Sequence, residues 1–265
     1  LIHNVIYQQA ASRSATGGYD FTFAYEKIAP VLKLSDFAIL NQETVISKSN
    51  EPSSYPLFNS PAELGEHMVK LGFNVINHAN NHVLDQGAAG ACETVEFWKS
   101  QSGVILTGLY SDETDMNTVK TNTVNGITFS HLGFTEYLNG LSLPADSALK
   151  IGCPVSADFT KDTFFATMKA MVENAKASTD LVYLYVENSL DEEYLEPDDE
   201  YLEPDDEYLE PDDAYLGLDI GFVLLGAEHL LQQGGKLYLA ECAACLHIGE
   251  HTLESANILC QTLHL

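Results

Sequence analysis

Short apolar runs that stop abruptly at coordinating side chains recur along the chain. In LGFNVINHANNHVLDQG, from Leu71 to Gly87, the residues Phe73, Val75 and Ile76 suit a strand covered on both faces, and the apolar run ends at Asn77. Phe37 to Leu40 repeats this and ends in Asn41-Gln42-Glu43-Thr44. Leu181 to Val186 runs into Glu187-Asn188, and Ile220 to Leu225 into Gly226-Ala227-Glu228-His229. Buried strands that present polar groups at their carboxyl ends are the ligand-bearing pattern of open α/β sheets.

Helical periodicity lies between these strands. Ser60-Pro61-Ala62-Glu63 predicts a helix start, with Ser60 as N-cap, Pro61 in the first turn and Glu63 closing a capping box. Leu64, Met68 and Leu71 form its buried stripe and Gly72 ends it. Residues 25–34 read as a helix with Ile28, Val31 and Leu32 on the apolar side and Pro30 able to break or kink it. Residues 88–101 read as another, with Cys92, Val95 and Trp98 on one side and Cys92 a small core residue. Phe164, Met168, Met171 and Ala175 mark a further helix face. Asn125-Gly126, between residues 119–124 and 127–134, predicts a hairpin, and Gly17-Gly18 a turn. The opening residues, Leu1 to Tyr7, read as lying just beyond a first strand.

Asn77, His78, Asn80, Asn81 and His82 put two imidazoles and three carboxamides into six residues. A polar turn with asparagines bonded to their own backbone is the competing account, and for Asn80 alone it is the simpler one. For the run as a whole, Asn-Asn-His after a strand brings a carboxamide oxygen and an imidazole nitrogen within reach of one point, as a hard or borderline metal requires. Glu43, taken alone, reads as a solvated loop acid.

Charge changes the picture more than composition does. The 265 residues carry 39 acidic and 12 basic side chains, for a net charge of −27, which excludes nucleic acid and anionic lipid as partners. The length favours one large α/β domain. No apolar run approaches the roughly 18 residues that span a bilayer, and no basic segment followed by an apolar one opens the chain. Cys92, Cys153, Cys242, Cys245 and Cys260 are odd in number and define no disulfide framework.

Several segments resemble the poly-γ-glutamate capsule-synthesis proteins of the CapA type. Asn41-Gln42-Glu43-Thr44 resembles the family's N-L-E-T, and Ala79-Asn80-Asn81-His82 with Leu84-Asp85-Gln86-Gly87 resembles A-N-N-H-x-L-D-x-G. Phe58-Asn59-Ser60-Pro61 leading to Leu71-Gly72-Phe73-Asn74-Val75 falls in the family's order between them. Leu1-Ile2-His3 resembles the residues just after a Gly-Asp pair on the family's first strand, with His3 matching its histidine. The likeness covers residues 1–150 and weakens afterwards. Glu187-Asn188-Ser189 stands where the family has His-Trp-Gly, Gly226-Ala227-Glu228-His229-Leu230 where it has Gly-x-His-Pro-His, and Leu239-Ala240-Glu241-Cys242 where it has Ser-Leu-Gly-Asn.

The resemblance implies a layered α/β/β/α sandwich related to the metallophosphoesterases, a single domain over residues 1–265 at the outer face of a cell envelope. It also implies a divalent metal, manganese, iron or zinc, held by Glu43, Asn80 and His82 with help from Glu187 or His229. Asn41 and Asn81 would orient ligands or substrate, His3 would donate a proton, and Asp85 would cap the following helix. Two functions fit: a metal-dependent hydrolase acting on phosphoester or γ-glutamyl bonds, or a non-catalytic component of a polymer synthesis or export complex. Its partners would be poly-γ-glutamate or membrane-bound synthase components.

Two features stand apart. Glu193-Tyr194-Leu195-Glu196-Pro197-Asp198-Asp199 recurs from Glu200 and from Glu207, so residues 191–213 form an acidic heptapeptide repeat, an insertion or loop. A proline in every unit excludes a coiled coil, and a solvated loop is preferred to calcium binding or docking because EF-hand spacing is absent. Cys242-Ala243-Ala244-Cys245-Leu246-His247, with His251, admits a zinc site or a local disulfide, but the neighbouring Leu237, Tyr238 and Leu239 favour a buried strand.

Overall fold

The computed structural model describes residues 2–153, 161–187 and 222–225. The acidic repeat, His229 and the Cys242/Cys245 pair lie outside them. In chain order the elements are α1 (Asn4–Arg13), α2 (Thr22–Tyr25), α3 (Ala29–Leu32), β1 (Ala38–Asn41), α4 (Ala62–Leu71), β2 (Phe73–Asn77), α5 (Gly87–Ser100), β3 (Ile105–Thr107) and β4 (Leu109–Tyr110). They continue with α6 (Glu113–Asn117), β5 (Thr121–Val124), β6 (Ile127–Thr135), β7 (Lys150–Ile151), α7 (Lys161–Lys176), β8 (Leu181–Glu187) and β9 (Phe222–Leu225).

β1, β2 and β3 form a parallel sheet with β2 in the centre, Asn41 opposite Asn77 and Asn77 opposite Thr107. Parallel neighbours require crossovers, and α4 and α5 supply them. A second sheet, in the order β5-β6-β8-β9, is mixed: β6 pairs with β8 in parallel, and β5 and β9 are antiparallel to their neighbours. β4 and β7 make a short antiparallel pair. Helices α4 and α5 pack on the first sheet, α7 packs on the second, and β3 meets β6, which gives the helix–sheet–sheet–helix layering. The chain is thus a mixed α/β protein of metallophosphoesterase-like type.

The larger core gathers Leu64, Met68, Ile76, Leu84, Val95 and Trp98; the smaller joins Leu132, Phe134, Met168, Ala175 and Val182 under α7. Where the sheets meet, Thr107 Oγ1 donates to the His131 carbonyl at 3.1 Å, and two glycines allow a close approach. A Cβ on Gly133 of β6 would fall 2.0 Å from Asn77 Oδ1, and one on Gly108 would fall 2.3 Å from the Ala79 nitrogen. These two glycines let the backbone of the second layer press against the end of β2.

Several elements depart from their sequence signals. The helix expected over residues 25–34 is two short ones separated by a turn; Pro30 lies in the first turn of α3, where its missing N–H costs nothing, and Val31 is exposed. α1 occupies the opening stretch and buries Ala10 with Ile6 and Tyr7 beside it. Ser60 does not cap α4: Pro61 holds the N-cap position, and the Ser60 hydroxyl bonds Thr44 Oγ1 at 2.7 Å. Val95 and Trp98 of the expected stripe are buried, but Cys92 is exposed, because the buried face of α5 is completed by Ala91 and Thr94 instead. The hairpin forms as expected, with Asn125 and Gly126 both at positive φ.

Two imidazoles are sealed inside this frame. Burial lowers the His78 pKa to about 3 and that of His131 to about 4. Both are therefore neutral in the fold and protonate near 6.5 once exposed, so stability is full above pH 6.5 and falls as pH drops from there toward 4 and 3. Urea unfolding midpoints should decline from pH 7 to pH 5, before the carboxylates titrate. His78→Gln, which keeps an acceptor for Trp98, should decline less; an equal decline in the variant would show that His78 does not carry the effect.

Candidate functional site at the carboxyl end of β2

The strand β2 ends in Asn77, and the chain then turns through His78 to Asn81 in a knot of carboxamides. Asn77 Nδ2 donates to Asn41 Oδ1 at 3.1 Å across the β1–β2 pair, and Asn80 Nδ2 donates to the Gln42 carbonyl at 3.1 Å and toward Asn41 Oδ1 at 3.4 Å. Asn77 and Asn80 are fully buried. The two strand ends are thereby clamped, with Asn80 Oδ1 accepting from the His82 N–H at 3.1 Å. This last bond is the local asparagine turn, and it aims the chain at His82.

His82 is fixed by a carboxylate. Its Nδ1 lies 2.8 Å from Asp85 Oδ2, and the same oxygen accepts from the Phe58 N–H at 2.8 Å. A carboxylate oxygen only accepts, so in the neutral ring Nδ1 carries the proton and Nε2 keeps its lone pair. Asp85 is buried and therefore not the helix cap that its position before α5 implies; Gln86 stands at the N-cap position, with no side-chain cap bond. The Phe58 ring stands edge-on to His82 at 5.0 Å and to His3 at 5.2 Å, and His3 Nδ1 lies 3.3 Å from Ser54 Oγ.

The loops around the centre are held by long-range bonds. Buried Asn59 accepts from the Ser47 N–H at 2.9 Å and donates to the Ser47 carbonyl at 3.0 Å. Glu93 of α5 accepts from the Ser47 hydroxyl at 2.8 Å and the Ser49 N–H at 3.0 Å. The Ser49 hydroxyl, the Ser49 N–H and the Ser47 hydroxyl together lower the Glu93 pKa to about 2. Glu43 stands half-buried at the start of this loop.

The structure thus gathers Asn41, Asn80, Asn81 and His82, with His3 reached through Phe58. Glu187 is buried at the end of β8, where Thr135 Oγ1 donates to it at 2.9 Å. Asn139 is a participant that the motifs do not signal. Its Oδ1 accepts from Asn81 Nδ2 at 3.3 Å, and its Nδ2 lies 3.5 Å from His82 Nδ1. Asn139 and Gly140 both have positive φ, and the Asn-Gly pair is a turn signal that marks this position in the sequence.

The donor chemistry suits a divalent cation in kind. An imidazole whose far nitrogen is held by a buried carboxylate is the usual arrangement of a metal-ligating histidine. Asn81 Oδ1 is a buried acceptor without a hydrogen bond, as is Asp85 Oδ1. Among the described residues, however, no three His, Cys, Asp or Glu side chains converge to hold a metal. No helix among them is long and apolar enough to cross a membrane.

A parallel sheet with carboxamide and imidazole groups at its strand ends, layered on a second sheet, defines a metallophosphoesterase-like α/β domain. The chain belongs to the family of the bacterial capsule synthesis protein PGA_cap, whose model it matches over residues 1–201. It is 27% identical over 181 residues to the capsule biosynthesis protein CapA of Bacillus anthracis, covering 66% of this chain and 42% of that protein. It is 29% identical over 123 residues to the PGA biosynthesis protein CapA of Bacillus subtilis (strain 168), covering 45% of this chain and 32% of that protein. The chain spans less than half the length of these relatives.

Asp85→Ala leaves the Phe58 N–H and the His82 ring without their acceptor. It should destabilise the fold by about 2–4 kcal/mol in urea unfolding, with Asp85→Asn intermediate because its carboxamide oxygen still accepts. A loss below about 1 kcal/mol for Asp85→Ala would mean that water replaces the carboxylate.

Proposed function

We propose that the chain acts in the synthesis or processing of poly-γ-glutamate at the cell envelope, and that the His82 centre is hydrolytic. The observation that carries this reading is the buried Asp85–His82 pair, which presents an imidazole nitrogen at the carboxyl end of a parallel sheet. Both curated relatives are named for capsule or PGA biosynthesis, which supports the substrate class and an envelope association.

In this reading His82 Nε2, Asn80 and Glu43 hold a divalent cation, manganese, iron or zinc, with Glu187 or His229 completing the set. The cation supplies Lewis-acid chemistry, polarising an ester or amide oxygen and acidifying water. Asn41 and Asn81 orient the scissile group through their carboxamides, and Asp85 keeps the His82 ring from rotating. His3, exposed beside Phe58, delivers a proton to the leaving group. A net charge of −27 opposes a polyanionic substrate, so cations that bridge the two surfaces assist its approach.

A second reading keeps the fold and drops the chemistry: a non-catalytic component working beside membrane-bound polymer synthase subunits. It is favoured by the shortage of converging ionisable ligands among the described residues and by the altered motifs after residue 180.

Metal content by mass spectrometry, with hydrolysis of γ-glutamyl amides and phosphoesters, separates the two. The wild-type chain should carry a near-stoichiometric metal. His82→Ala should lose the metal and cut hydrolysis by about 10²-fold or more. Metal and turnover unchanged in the variant would end the hydrolytic reading; a metal-free protein that still retains the polymer would establish the second.

A further inference from the structure

A cavity of about 640 Å³ opens between α1, the loop over residues 14–21, α3 and α4, and it shares no residue with the His82 centre. Among the side chains lining it are Arg13, Lys33 and Lys70, a quarter of the chain's twelve permanent cations. Glu63, Glu66 and His67 of α4 and Asp20 of the loop face the same space, so three carboxylates stand against the three cations. A locally neutral, cation-rich cavity is out of character with a surface at −27, and so calls for an account of its own.

The charges are ordered along the wall. Glu63 and Lys70 are seven residues apart on α4, about 10 Å along the helix axis. Lys33 follows α3, whose Leu32 carbonyl lies 4.0 Å from where a Cβ on Gly72 would stand, so the ends of α3 and α4 abut and gather Lys33 and Lys70. Both lysines precede the amino ends of the paired strands β1 and β2, opposite to the strand ends that carry His82. Arg13 closes the last turn of α1, its guanidinium 4.5 Å from the Phe23 ring centre.

Helix C-termini attract cations, which accounts for where the three basic residues sit in the sequence. It does not account for the three remaining apart from Glu63 and Glu66; the third carboxylate, Asp20, accepts from the Thr22 N–H at 2.9 Å, and its bonds to Thr22, with His67 and Arg13 nearby, lower its pKa. Among the described residues no ion pair engages Arg13, Lys33, Lys70, Glu63 or Glu66. His67 Nε2, on the same wall, is buried without a hydrogen-bond partner. The loop opposite is shaped to the carboxylate: a Cβ on Gly18, at φ +77°, would fall 2.4 Å from Glu63 Oε1. The positive φ, more than the contact with the flexible Glu63 side chain, favours glycine there. The Ser14 hydroxyl donates to the Gly17 carbonyl at 2.6 Å, which ties the loop down.

We propose that this cavity binds an elongated zwitterion, with its ammonium group at the Glu63 end and its carboxylates at the Lys33 and Lys70 end. In the polymer setting proposed above, the ligand is the amino-terminal end of a γ-glutamyl oligomer; that assignment alone rests on the earlier reading. A single α-amino acid group is too short to bridge a separation of about 10 Å. An oligomer end, with its ammonium group several bonds from the next carboxylates, spans it.

Calorimetric titration of the full chain with tri-γ-glutamate tests this. Binding should weaken about tenfold or more in Lys33→Gln/Lys70→Gln, but not in Lys169→Gln/Lys176→Gln, which changes net charge equally on α7. Acetylating the amino terminus of the peptide should weaken binding about fivefold or more, and Glu63→Gln should erase that preference. The difference between the two lysine pairs should persist in a His82→Ala background, which separates this cavity from the His82 centre. Equal affinity in the two lysine pairs, disappearance of their difference in the His82→Ala background, or no binding of any peptide would overturn the proposal. Binding of α-linked triglutamate but not the γ-linked form would uphold the zwitterion site and remove the polymer assignment.

Discussion

One buried carboxylate oxygen holds the candidate centre together. Asp85 Oδ2 takes the Phe58 N–H from a loop 27 residues upstream and the His82 ring proton from its own turn, at 2.8 Å each. The loop before α4, the turn after β2 and the start of α5 meet at this atom. A neutral acceptor would satisfy either donor less strongly, since hydrogen bonds to an ionised group are shorter and roughly twice as strong. The orientation of His82 is therefore a property of the packing of three segments, not of one flexible side chain.

The carboxamides do a different job. Asn41, Asn77 and Asn80 bond to one another and to nearby carbonyls, so the candidate ligand cluster also clamps the parallel strands together. Asn59 and Thr44, which also lie in the family motifs, likewise serve the loops around the site. The glycines at the sheet interface fit the same picture: Gly133 and Gly108 give Asn77 room to sit between two layers. Motif residues here divide into those that present chemistry, His82 above all, and those that make its presentation rigid.

Legibility followed the range of the interactions. Asn125-Gly126 announces its hairpin because two residues of turn chemistry decide it. The strands β1, β2 and β8 are readable from apolar runs, which burial demands along most of β2 and β8 and in part along β1. Ser60 and Asp85 mislead for the opposite reason: each has the composition of a helix cap, but partners distant in the chain, Thr44 and Phe58, claim the side chain. Cys92 misses the core by one helical step, which periodicity over so short a window does not resolve. Asn139 reaches the site from 57 residues away, a proximity that only the packing of β6 against β2 creates.

The buried pair behind the strand end has an optical side. Trp98 is the chain's single tryptophan, fully buried, and its indole N–H donates to His78 Nε2 at 2.7 Å. His78 is the next residue after β2, on the same turn that delivers Asn80 and His82. The molecule therefore contains one intrinsic fluorophore, hydrogen-bonded to the segment that bears the centre. Its emission reports the environment of that segment without any label, and with no second indole to dilute the signal.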